Sequence, residues 1–268
     1  MDAPLPPSID GKKVFFVQPN SVIQKEMVAD LIRLEYEVLL IPEARQARKI
    51  FKLYPNCLAF LNIDEGLTEK EWADFVRDIQ ADPTFSGVKL GILTYNSDPA
   101  LQRKYLMDLM VPCGFIRLTL RLTESTAIVA KVLEANEARG RRKYLRVHCG
   151  ENTRLNVRTA KGLIEGRIID LSSVGMACVL KSSHEIKVHS VLDSIQLQLK
   201  GSLCLINGVV MGSRPTGDGS ENAYVVLFDP KTSGAQKEKI RTYLLLALQD
   251  KIDTILRAKD VQPQASRV

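Results

Sequence analysis

Two hydrophobic periods divide this chain. From Lys12 to about Asn136, short unbroken apolar runs alternate with amphipathic stretches. Val14–Val17, Val38–Ile41, Cys57–Ile63, Val88–Thr94 and Gly114–Thr119 predict five strands. Stretches near 21–34, 43–53, 68–80, 98–109 and 123–137 predict the helices between them. Asp98-Pro99 supplies an N-cap and a proline for the first helical position. Runs without polar alternation belong to strands buried on both faces, so the five β-α units predict a parallel sheet covered by helices.

Past residue 147 the period shortens to two. Thr153–Arg158, Leu163–Leu171, Gly175–Leu180, Ser194–Leu199, Cys204–Ser213 and Ala223–Phe228 alternate and are bounded by turn residues. Six short strands with that spacing predict a small antiparallel β-barrel. Pro215–Ser220 reads as a hairpin connection. From Gly234 to Leu256 the helical period returns, with Ile240, Tyr243, Leu244, Ala247, Leu248, Ile252 and Ile255 on one stripe. Leu245 and Leu246 lie off it, as a wider buried face or a partner surface. The predicted order is a disordered N-terminus (1–11), an α/β domain (12–138), an Arg-rich linker (139–147), a barrel with its terminal helix (148–257) and a polar tail (258–268).

Composition adds charge and compartment. The chain has 268 residues, enough for two cores, and is 45% hydrophobic and 25% charged. No apolar run reaches the ~18 residues of a membrane span, and the first residues lack a secretory pattern. Cys57, Cys113, Cys149, Cys178 and Cys204 include no Cys-x-x-Cys pair, which predicts buried free thiols in a reducing cytoplasm and no metal site. Residues 1–138 carry 16 Lys+Arg against 19 Asp+Glu, whereas 139–268 carry 21 against 12. The excess cation belongs to the second half, and Arg139, Arg141, Arg142, Lys143 and Arg146 fall within eight residues of it. Such a cluster implies an anionic partner.

Two elements could hold a small, flat, doubly anionic ligand. The first is Arg142-Lys143-Tyr144-Leu145-Arg146, with two guanidiniums four residues apart. The second, 24 residues on (170 − 146), is Asp170-Leu171-Ser172-Ser173-Val174-Gly175. Arginine pairs bidentately with phosphate or a guanine edge and stacks on bases. Aspartate accepts from ring N–H groups, serine serves as donor or acceptor, and glycine allows close approach to backbone.

These elements resemble the two signature motifs of the PilZ family, RxxxR and [DN]xSxxG, whose six-stranded barrels bind the bacterial second messenger cyclic di-GMP. The resemblance implies that Arg142 and Arg146 contact phosphates and guanine. It implies that Asp170 accepts from guanine N1 and N2, that Ser172 bonds a phosphate oxygen or base edge, and that Gly175 keeps the strand surface open. Arg141 would add a contact and favour a second ligand molecule. Tyr224–Phe228 resembles a late PilZ strand with Val226 in place of a frequent glycine. The ligand would order the arginine linker and reorient the two domains, acting on motility, exopolysaccharide secretion or gene expression.

The first half resembles the receiver domain of two-component signalling in order and length, with its chemistry degraded. Gln18-Pro19-Asn20 stands where receivers keep acidic residues for Mg²⁺, and the acceptor aspartate would fall near Asn62 or Asp64. Thr94 keeps the hydroxyl after strand four, while Arg117 or Leu118 replaces the lysine after strand five. The expectation is a docking or scaffold domain. An unidentified protein partner would use it or the terminal helix, and a homodimer is one arrangement these faces allow.

Two other classes compete. A nucleic-acid-binding barrel with a basic arm needs aromatic platforms, and the barrel offers Tyr144, Tyr224 and Phe228. For an enzyme, His148, His184 and His189 show no nucleophile–base spacing. His148 beside Cys149 would point to the opposite face of a strand. No catalysis is expected.

Overall fold

The computed structural model describes residues 11–150, 153–159, 162–181, 186–216 and 221–258. The chain divides into two compact units: residues 1–142 with 249–268, and residues 143–248.

In the first unit β1 (Val14–Val17), β2 (Val38–Ile41), β3 (Leu58–Asn62), β4 (Lys89–Thr94) and β5 (Phe115–Arg117) form a parallel sheet in the order β2-β1-β3-β4-β5. This is the doubly wound order of receiver and flavodoxin folds. β1 and β3 are buried at every position, as their unbroken apolar runs require. Consecutive residues serve opposite layers. Phe15 packs 6.4 Å from Phe51, while Phe16 stacks 5.4 Å from Phe60.

The helices are α1 (Val28–Arg33), α2 (Ala44–Leu53), α3 (Glu69–Ala81), α4 (Pro99–Arg103) and α5 (Leu122–Ala135). Asp98 caps α4 by accepting from the Ala100 N–H at 2.9 Å. Thr68 and Glu71 close a capping box on α3, and the Thr68 bonds hold the Glu71 carboxyl below its usual range. Trp72 is wholly buried and donates to the Glu65 carbonyl at 3.1 Å. The sequence does not reveal that π-helical turns, Ile23–Met27 and Lys104–Asp108, lead into α1 and extend α4.

In the second unit β7 (Arg154–Thr159), β8 (Gly162–Ser172), β9 (Gly175–Leu180), β10 (Val191–Leu199), β11 (Ser202–Pro215) and β12 (Asn222–Phe228) close a six-stranded antiparallel barrel. The ring runs β8-β7-β10-β11-β12-β9 and returns to β8. Pro215 pairs with Asn222 across the predicted hairpin; residues 217–220 of that connection lie outside the described residues, as does His184.

One strand corrects the expected linker. β6 (Arg146–His148) pairs antiparallel with the end of β8, on the same edge that β7 occupies further back. The stretch 145–149 alternates buried Leu145, Val147 and Cys149 with exposed Arg146 and His148. The motif's second arginine therefore stands on a strand and not in a mobile connector. The start of that stretch is also fixed: Arg139 lies 4.8 Å over the Tyr36 ring and donates to the Leu34 carbonyl.

α6 spans Gly234–Arg257. Ile240, Tyr243, Leu244, Leu248 and Ile252 are buried, whereas Leu246 is 44% exposed, so the wider-face reading fails there. From Gln249 onward the helix counts with the first unit. There the Gln249 amide accepts from the Leu40 N–H and donates to the Leu40 carbonyl, both at 2.9 Å.

Candidate ligand-binding face

Register on the barrel's outer surface assembles the site. Along β8 the outward positions begin as Leu163, Glu165 and Arg167, while Gly166 and Ile168 face the core. A bulge then intervenes: Ile168 pairs with Cys178, but the next pair is Asp170 with Ala177. The extra residue, Ile169, reverses the alternation: Asp170 and Ser172 take outer-face positions, Asp170 partly exposed and Ser172 buried beneath the turn, while Leu171 faces the core. Were Ile169 paired in an unbroken alternation, Asp170 would point into an apolar barrel.

Opposite, β6 places Arg146 across from Ser172 and His148 across from Asp170. Arg146 Nε lies 3.8 Å from Asp170 Oδ1, with the arginine side chain 46% exposed. A long, half-solvated pair of this kind contributes about 0–1 kcal/mol, so a ligand can part it at little cost. Arg146, Asp170, Ser172, Gly175, Met211 and Arg214 line a depression of about 250 Å³, with Val225–Leu227 across its floor.

Ser172 and Gly175 have structural roles that the motif alone did not disclose. Ser172 Oγ donates to the Gly175 carbonyl at 2.9 Å and accepts from the Gly175 N–H at 3.1 Å, closing the two-residue turn from β8 to β9. Its single proton is thereby committed. What it retains is acceptor capacity toward an N–H, not a donor for a phosphate oxygen. At Gly175, a Cβ would sit 2.6 Å from the Val226 carbonyl. The close approach is by β12 of the barrel itself, which corrects the expectation of a strand surface kept open.

Arg141 and Arg142 are exposed, fall on the first unit's side of the division and do not line the depression. Arg214 does line it, and sequence reasoning missed this residue. The available signal was the phase break at Met211-Gly212 in an otherwise alternating strand. Behind Asp170, Cys178 faces the core; burial, then the Asp170 charge, push its thiol up to about 12. All five cysteines are buried. Tyr224 and Phe228 are buried too, which removes them as stacking platforms for a nucleic acid.

In the first unit the polar residues at the ends of β1, β3 and β4 bond one another and their neighbours. Gln18, at φ 57°, accepts from the Ala44 N–H through Oε1, and its carbonyl accepts from Asn62 Nδ2 at 2.9 Å. Asp64 accepts from the Thr94 hydroxyl and from the Tyr95 N–H. Among the described residues no group of three or more His, Cys, Asp or Glu could hold a metal ion, and no helix is long and apolar enough to cross a membrane.

No curated protein matches the chain by sequence. Among solved structures, it is similar to YcgR from Escherichia coli in complex with c-di-GMP, at 14% identity and TM-score 0.38 over 43% of this chain and 50% of that one. It is similar to the MrkH–c-di-GMP complex of K. pneumonia at 20% identity and TM-score 0.38, over 43% and 57%. The Mn²⁺-bound response regulator Rcp1 aligns at 14% identity and TM-score 0.37, over 46% and 92%. The chain thus spans about half the length of the first two. At these identities and scores, likeness is no evidence of a shared ligand. The family match is separate and local, covering residues 140–246. These residues contain the whole closed barrel and both arginine and aspartate motifs, and they are a PilZ domain.

Proposed function

We propose that this protein is a cyclic di-GMP receptor that regulates a protein partner and performs no catalysis. The observation that carries the reading is the joint outward placement of Arg146 and Asp170 beside one depression. A cation and a carboxylate at such spacing match a ligand that carries phosphates and guanine N–H donors side by side.

Asp170 accepts from guanine N1 and N2, and Ser172 accepts from an N–H with its remaining lone pair. Arg146 leaves its weak pair with Asp170 for a phosphate. Arg142 and Arg141 close from the linker, Arg142 on phosphate or guanine and Arg141 on a second ligand molecule. Each linker residue that must be ordered costs about 1–2 kcal/mol. Fixing Arg139 on Tyr36 and Arg146 in β6 shortens the segment that the ligand must order. The proposal includes reorientation of the two domains, which small-angle scattering with and without ligand tests.

Isothermal titration of the full chain with cyclic di-GMP should give micromolar or tighter binding, about −8 kcal/mol. Arg146→Ala or Asp170→Ala should lose about 2–5 kcal/mol, since each leaves a partner charge unpaired. Trypsin should cut the 139–146 segment more slowly with ligand present. Wild-type protein giving no heat at 100-fold higher ligand concentration (about 100 μM against about 1 μM) would refute the proposal.

A further inference from the structure

A second bulge, on β11, does for an arginine what the first does for Asp170. Up to Met211 the odd-numbered residues of β11 face outward, with Cys204, Ile206, Gly208 and Val210 in the core. Val210 pairs with Val226, yet the next pair is Gly212 with Val225, so Met211 is the extra residue. The register from there puts Gly212 and Arg214 on the outer face, where the exposed Arg214 pairs with the buried Ala223. Along an unbroken alternation Arg214 would point into the barrel.

The sheet register sets the separation. Asp170 pairs with Ala177, Ala177 with Val225, and Val225 with Gly212, so β8, β9, β12 and β11 succeed one another across one row. Three strand spacings place β11 about 14 Å from β8. That is too far for Arg214 to pair directly with Asp170 and suits two side chains gripping one ligand from opposite edges. Between them lie Val225 and Leu227, 42% and 45% exposed, with Met211 at 48% beside them. The depression is therefore an apolar floor bordered by Arg146 and Asp170 on one side and Arg214 on the other. A flat heteroaromatic ring with an anionic edge fits that arrangement: its faces desolvate on the aliphatic floor while the phosphate meets the guanidinium.

We infer that Arg214, together with the Met211–Val225–Leu227 floor, is a further binding subsite on this face. Arg214 binds a phosphate of the cyclic dinucleotide while the floor carries one of its guanine rings. The inference rests on the receptor reading above and adds residues that neither motif contains.

The test is titration of the full chain with cyclic di-GMP for wild type, Arg146→Ala, Arg214→Ala, Arg214→Lys and Val225→Asp, each melted first without ligand. Arg214 and Val225 are exposed, so unliganded melting should match wild type. Arg214→Ala is expected to weaken binding at least tenfold with a shallower salt dependence. Arg214→Lys should recover part of the loss as a point charge without the fork. Val225→Asp should weaken binding by placing an anion on the floor. If wild type binds, Arg146→Ala does not, and both Arg214→Ala and Val225→Asp bind as wild type does, the subsite is refuted and the receptor reading stands. If wild type itself fails to bind, both fall.

Discussion

Arg146, Asp170 and Ser172 share one surface but divide the work unequally. Arg146 and Asp170 keep each other company loosely, whereas the Ser172 hydroxyl is consumed by the turn it closes. Ser172→Ala should therefore lower stability by about 1–3 kcal/mol, through lost turn bonds, before any effect on ligand appears. Thermal melting without ligand reads it; an unchanged midpoint would return the serine to a purely ligand-facing role. Gly175→Ala should cost at least as much, because its methyl would meet the Val226 carbonyl and force β9 away from β12. His148, across from Asp170 and exposed, and Cys149, buried, show the strand alternation that separates these neighbours in sequence.

Elements whose period is long enough were legible from the residues alone. The five parallel strands, the cap at Asp98 and six barrel strands follow from runs and alternations that tertiary contacts reinforce. β6 escaped because five cations dominate its neighbourhood, although Leu145, Val147 and Cys149 alternate with Arg146 and His148 as a half-buried strand should. The bulges escaped because one residue reverses a period of two without changing composition; only the doublets Ile168-Ile169 and Met211-Gly212 mark them. The motif disclosed where Asp170, Ser172 and Gly175 fall, yet not that the last two hold the turn. Leu246 was ambiguous because helical spacing says which residues share a face, not what covers it. At the sheet edge, the Gln249 amide satisfies both backbone groups of Leu40. Gln249→Ala should speed hydrogen exchange at the Leu40 amide and cost about 1 kcal/mol, an outcome that unchanged protection would contradict.

For the whole molecule, buried thiols tie stability to pH. Burial pushes Cys57 and Cys178 up to about 12 and Cys113 up to about 11, and raises Cys204 as well. The unfolded chain releases these protons near pH 8.5 while the folded one keeps them. Between those values the folded state binds more protons, so stability is intact below pH 8.5 and falls as pH rises, by up to about 1.4 kcal/mol per unit per thiol. Denaturant midpoints measured from pH 7 to 10.5 should stay level at first and then decline; Cys178→Ser would not be a clean control, since it places a hydroxyl in the core. A flat profile would mean that the thiols ionise as readily in the folded protein. The uneven charge of the chain belongs to the same scale, since the half containing the barrel carries the cationic excess and would draw an anionic ligand toward it.

The two surplus residues of β8 and β11 make length, rather than side-chain identity, the vulnerable property of this surface. Deleting Ile169 or Met211 removes no charged group and no hydrogen-bonding side chain. It also leaves the faces as they are, because each strand then alternates without its bulge: Asp170, directly after inward Ile168, and Gly212, directly after inward Val210, still take outer positions. Inserting one residue after either bulge, by contrast, would turn Asp170 or Arg214 toward the apolar lumen, and such a lengthened protein should lose its affinity for the dinucleotide. A point substitution at Ile169, which leaves the register alone and lies outside the depression, should be borne with little loss.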